Sequence, residues 1–82
     1  MNEQKFPAGS VISNRTILAS VENNYVTFGG KSIPDTHLIL TIEHTGEFEI
    51  LLVRDETRLS MSLFHSYSLK EMLDKWYEVI AS

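Results

Sequence analysis

The stretch from His37 to His44 reads HLILTIEH, with Leu38, Leu40 and Ile42 on one parity and His37, Ile39, Thr41 and Glu43 on the other. Apolar residues at every second position predict a β-strand, because successive side chains point to opposite faces. Thr45-Gly46 supplies turn chemistry, and Glu47 to Arg54 (EFEILLVR) takes up the alternation again. There Phe48, Ile50 and Leu52 point one way, Leu51 and Val53 the other. A segment apolar on both faces is what a central strand covered on both sides requires. Asp55-Glu56-Thr57 is a polar turn. Leu59 to Phe64 (LSMSLF) then predicts a half-buried strand, with Leu59, Met61 and Leu63 inward and Ser60 and Ser62 outward.

Upstream, Val11 to Val21 is rich in β-branched residues and predicts a strand in its second half, with Ile17, Ala19 and Val21 on one face. Asn23-Asn24 suits a tight hairpin turn, since Asn tolerates positive φ. Tyr25 to Phe28 follows as a short strand, ended by Gly29-Gly30, and Gly29 to Thr36 reads as a loop. Residues 1–9, punctuated by Pro7 and Gly9, predict a flexible N-terminal arm whose one large apolar residue, Phe6, is placed to pin it to the body or to a neighbour.

After Ser68 the period changes. Leu69, Met72, Leu73, Trp76 and Ile80 recur at helical spacing, with Lys70, Glu71, Asp74, Lys75 and Glu78 on the outer face. Ser68-Leu69-Lys70-Glu71 is a capping box, and Glu71 with Lys75 is an i,i+4 pair. The predicted fold is α+β: an antiparallel, meander-like sheet of about five strands with one C-terminal amphipathic helix on one face, forming a single domain over residues 10–82. One helix covers one face. The other carries Ile39, Leu51 and Val53, joined by Leu18, and such an apolar patch predicts an interface. The expectation is a homo-oligomer, at least a dimer, with Tyr77 as a further contact residue.

Composition narrows the function. The chain has 82 residues, a net charge of −4 and no cysteine, which excludes disulfides, thiolate metal sites and thiol catalysis. The acidic balance argues against a phosphate-neutralising nucleic-acid binder. Residues 1–9 lack the apolar core of a secretory signal, and no run is long enough to span a membrane, so a cytoplasmic protein is expected. No dinucleotide fingerprint, nucleophile elbow or metalloprotease motif is present, and an enzyme is not expected. His37 and His44 are seven apart in one strand and so face opposite sides, which rules out a shared metal; no cofactor or metal is predicted.

The candidate chemistry lies in arginine, glycine and aromatic residues. Arg54 and Arg58 flank one turn, and two guanidinium forks at a sheet end suit an anion clamp, unless they pair with the intervening Asp55 and Glu56. Phe28-Gly29-Gly30-Lys31 joins a ring, two permissive glycines and a cation. With Arg15 assisting and Tyr67 or Phe28 stacking on a base, these residues predict an anionic, nucleotide-like ligand. In that reading the chain is a phage or mobile-element product that sequesters its ligand at subunit interfaces, a counter-defence type of role. The alternative is an inhibitor or adaptor that docks on a larger host protein through the uncovered sheet face, an edge strand, or the acidic turn of Glu43, Glu47 and Glu49. A third possibility is an assembly subunit.

Overall fold

In a computed structural model, residues 5–23, 27–32 and 35–81 are described. In chain order the elements are β1 (Val11–Ile12), β2 (Arg15–Glu22), β3 (Thr27–Phe28), β4 (Lys31–Ser32), β5 (Thr36–Ile42), β6 (Phe48–Arg54), β7 (Ser60–Ser66) and α1 (Leu69–Ala81). The main sheet is five-stranded and antiparallel, in the order β1-β2-β5-β6-β7, so the α+β fold is as the hydrophobic pattern predicts.

One strand is placed differently. The segment ending at Phe28 does not join the main sheet. Thr27–Phe28 pairs with Lys31–Ser32 in a separate two-stranded ribbon. Gly29 and Gly30, at φ 60° and 77°, form its two-residue turn rather than opening a loop. Positive φ at both central positions is the geometry that matches hairpin twist, and glycine adopts it without a Cβ penalty. Asn23 is not a turn apex either. It is buried, its N–H donates to the Thr36 carbonyl at 2.9 Å, and its amide donates to the Thr36 hydroxyl at 3.0 Å. It closes the β2–β5 ladder. Asn24, Tyr25 and Val26 lie outside the described residues.

Two bulges reset the alternation. On β2 the register shifts between Ile17 and Ala19, leaving Leu18 as the extra residue; on β7 it shifts opposite Ile50 and Leu51, at Leu63. An extra residue reverses which face the following side chains meet. Ile17 therefore lies on one face while Ala19 and Val21 lie on the other, instead of all three together. On β7, Phe64 packs with the helix side, whereas Leu59 and Met61, expected inward, are exposed.

Both faces of the sheet are covered. The helix side holds Leu38, Leu40, Ile50 and Leu52 against Met72 and Trp76. On the opposite side, Ile17, Ile39, Leu51 and Val53 pack with Ile12 and Phe6. The predicted open patch is thus closed by the chain's own N-terminal segment. Ile39, Leu51 and Val53 are core residues and do not form an exposed interface, and the argument for an oligomer drawn from an open face falls with it. Leu18 and Tyr77 are exposed. From Lys5 onward the segment expected to be a loose arm is fastened: Phe6 is 2% exposed, and the Gly9 N–H donates to the Ile17 carbonyl at 2.8 Å.

The helix cap is built by relay. The Glu71 N–H donates to the Ser68 hydroxyl at 3.2 Å, as a capping box requires. The return half runs through Ser66: the Ser68 N–H donates to Ser66 Oγ at 3.0 Å, and that hydroxyl donates to the Glu71 carboxylate at 2.8 Å. Glu71 is therefore engaged at the cap. The ion pairs on α1 are Lys70–Asp74 and Lys75–Glu78, in place of the expected Glu71–Lys75. No helix among the described residues is long and apolar enough to cross a membrane.

Candidate functional site

Three features stand out: a polar cluster at each end of the sheet, and an open edge. The first cluster lies where β2 begins and the β5–β6 turn closes. Arg15 sits opposite the Ile42–Phe48 end of that hairpin because β2 runs antiparallel to β5. Its Nη2 lies 2.9 Å from a Glu43 carboxylate oxygen and 3.4 Å from Glu47, and its Nε lies 2.9 Å from Glu49. Glu47 also meets His65 Nδ1 at 3.4 Å. The three carboxylates converge because odd residues of β5, β6 and their turn share one face. The acidic turn is therefore not a bare negative surface; a largely buried guanidinium sits among its carboxylates. Arg15 Nη1 is buried without a hydrogen-bond partner. A shallow open cleft beside it is lined by Ser13, Asn14, Arg15, Glu43 and His44.

The second cluster lies at the other end, around Asp55. His37 Nδ1 is 2.7 Å from Asp55 Oδ1, and Lys5 Nζ donates to Oδ2 at 3.2 Å. Burial pushes the Asp55 carboxyl up, but hydrogen bonds and charge from His37 and Lys5 outweigh it and hold it below its ordinary value. The His37 ring meets the Phe6 ring edge-on at 5.1 Å, and the Arg58 guanidinium lies 5.2 Å from the Phe6 ring centre. This cluster fixes the N-terminal segment to the sheet.

The predicted anion-site residues are not gathered in one place. Arg54 pairs in register with Thr36, a residue of the helix-side parity, while Arg58 reaches Phe6 on the opposite side. Asp55, between them, turns to His37 and Lys5 rather than to either arginine. Arg15 stands at the far end of the sheet. Gly29 and Gly30 form the ribbon turn between Phe28 and Lys31, and Tyr67 is exposed just before α1. Sequence reasoning missed the Arg15–Glu cluster and the seat of Phe6. Among the described residues, no group of His, Asp and Glu is arranged to hold a metal ion.

The open edge is β7, the last strand in the sheet order. Ser60–Ser66 carries no Lys, Arg, Asp, Glu or Pro. Met61 within it is 43% exposed, and Leu59 just before it 70%. Proteins usually guard an edge with charge or proline; here the Leu63 bulge is the guard. On the opposite edge, β1 and the Gly9–Ser10 backbone bond β2 as far as Ile17, and that strand carries Arg15 and Glu22. No protein family, no curated protein and no solved structure matches this chain.

Proposed function

We propose that this chain is a non-enzymatic binding protein that acts in the cytoplasm by docking on another protein through the β7 edge. The observation that carries the reading is an edge strand without Lys, Arg, Asp or Glu that exposes Met61, with exposed Leu59 just before it. An extended partner segment adds to such an edge through main-chain hydrogen bonds, and side chains on either face set specificity. The titratable side chains that come together pair with one another, Arg15 with three glutamates and Asp55 with His37 and Lys5, which favours a structural use of those groups over a catalytic one.

The test uses the full chain as bait in lysate of its source cells, with Leu59→Glu and Met61→Glu as matched variants. A partner retained by the native chain and lost by both variants, with slowed amide exchange in β7 of the complex, is the expected result. Capture that is equal for all three proteins, with each variant folded by circular dichroism, refutes the reading. Retention of a stoichiometric nucleotide and no protein would instead favour ligand sequestration.

A further inference from the structure

Residues Lys5 to Ile12 lie on the sheet as a strap. Apart from the bonds that the Ser10 N–H and hydroxyl donate to the Pro7 carbonyl, and the packing of Ile12 with Phe6, their partners belong to the body of the chain. Phe6 seats among Ile17, Ile39, Leu51 and Val53, with His37 and Arg58 on its ring. Lys5 reaches Asp55, the Gly9 N–H donates to the Ile17 carbonyl, and the Ile17 N–H donates to the Ser10 carbonyl at 2.8 Å. Val11 and Ile12 pair with Thr16 and Arg15. An identical strap from a second copy would make every one of these contacts. The part that cannot be transferred is the two-residue turn, Ser13-Asn14, which joins strap to sheet.

That turn is held in a strained form. Ser13 and Asn14 stand at φ 50° and 62°, the same left-handed arrangement that the β3–β4 ribbon fills with two glycines. Asn tolerates it; Ser, with a Cβ and no such preference, does not sit there readily. Straightening the turn relieves Ser13 and preserves the strap contacts if they form with another chain. Short hinge loops under strain are the setting in which elements exchange between protomers.

We propose that residues 5–12 exchange between two copies of this chain, giving a closed, two-fold dimer in which each copy's Phe6 seats on the other's sheet. The partner is thus a second copy, and the surface it fits is the face lined by Ile39, Leu51 and Val53. This dimer is independent of the β7 edge.

The test is native mass spectrometry and light scattering of the full chain over a range of concentrations. Alongside run Ser13→Pro, whose ring fixes φ near −65° and opposes the turn, and the double variant Ser13→Gly/Asn14→Gly, which relieves it. The native chain is expected to dimerise measurably. Ser13→Pro should raise the dimer fraction, and the double-glycine variant should weaken association roughly tenfold. In a mixed-label sample, isotope-filtered NMR should show the Phe6 ring of one chain against Val53 methyls of the other. A native chain that stays monomeric at every concentration overturns the proposal. So does a dimer without the inter-chain Phe6 contact, or a dimer that the double-glycine variant leaves unchanged. The glycine comparison stands even if the proline variant fails to fold.

Discussion

Replacing Phe6 by Ala removes the one aromatic side chain that the strap places in the core. The ring is 2% exposed in the native chain. Truncation of a buried Phe to Ala ordinarily destabilises by about 3–5 kcal/mol, the lost transfer energy plus the cavity left behind. A surface strap collapses into such a cavity more readily than a strand does, which favours the lower end, about 3 kcal/mol. The Arg58 contact on the ring contributes within that figure about 0.5–1 kcal/mol. A domain of 82 residues has roughly 4–12 kcal/mol to lose, at the usual stability per residue. The assay is urea unfolding followed by circular dichroism at low micromolar protein. With a slope of about 1.5 kcal/mol/M, the midpoint should fall by about 2 M. Lys5→Ala is the control: its side chain is 61% exposed, so losing the Asp55 pair should remove less than about 1 kcal/mol. A Phe6→Ala variant within about 1 kcal/mol of the native chain would show that the strap does not seat its ring in the core, and the closed second face would be refuted.

Replacing Arg15 by Met leaves Glu43, Glu47 and Glu49 facing one another; the loss should be about 2–4 kcal/mol in urea unfolding, and a variant within about 0.5 kcal/mol of the native chain would contradict the cluster. Asp55 is held below its ordinary pKa, so it contributes stability above the unfolded-state value that disappears as the pH falls through the folded one. Unfolding of the native chain and of Asp55→Asn should therefore differ most above the unfolded-state pKa and converge as the pH falls through the folded one, and a gap that does not narrow with falling pH would count against the His37–Lys5 explanation. Ser68→Ala removes the acceptor for the Glu71 N–H and should lower stability by about 1 kcal/mol; calorimetry showing no change would mean that the Ser66 relay suffices alone.

The strands β5 and β6 and the helix were legible because each keeps a regular period over its length. Leu38 to Ile42 and Phe48 to Val53 alternate without interruption, and Met72 and Trp76 fall where the helical stripe puts them. The bulges at Leu18 and Leu63 were not legible. A single extra residue leaves composition unchanged but reverses parity, so Ala19 and Val21 were assigned to the face of Ile17 and the place of Phe64 on the helix side did not show. The strap was half legible. Phe6 could be seen as an anchor, and Ile39, Leu51 and Val53 as a face in need of cover, but an isolated aromatic has no period that ties it to residues far along the chain. The Arg15 cluster left a faint trace: Glu47 and Glu49 share parity. Bringing Arg15 to them requires knowing that β2 skips the ribbon and pairs with β5, which local pattern does not reveal.

The strap also sets an order of events. The β5–β6 and β6–β7 pairs join consecutive segments, whereas Lys5 meets a residue 50 positions away. Loop closure disfavours early formation of the distant contact, so the hairpins and α1 assemble first and the strap docks last. On the ribosome this ordering is enforced by direction of synthesis. Phe6 emerges long before Asp55, and the face that receives its ring does not exist until β6 is made. Phe6 is therefore without its seat for most of the chain's elongation. Phe6→Ala should accordingly speed unfolding far more than it slows folding, since its contacts form after the rate-limiting step.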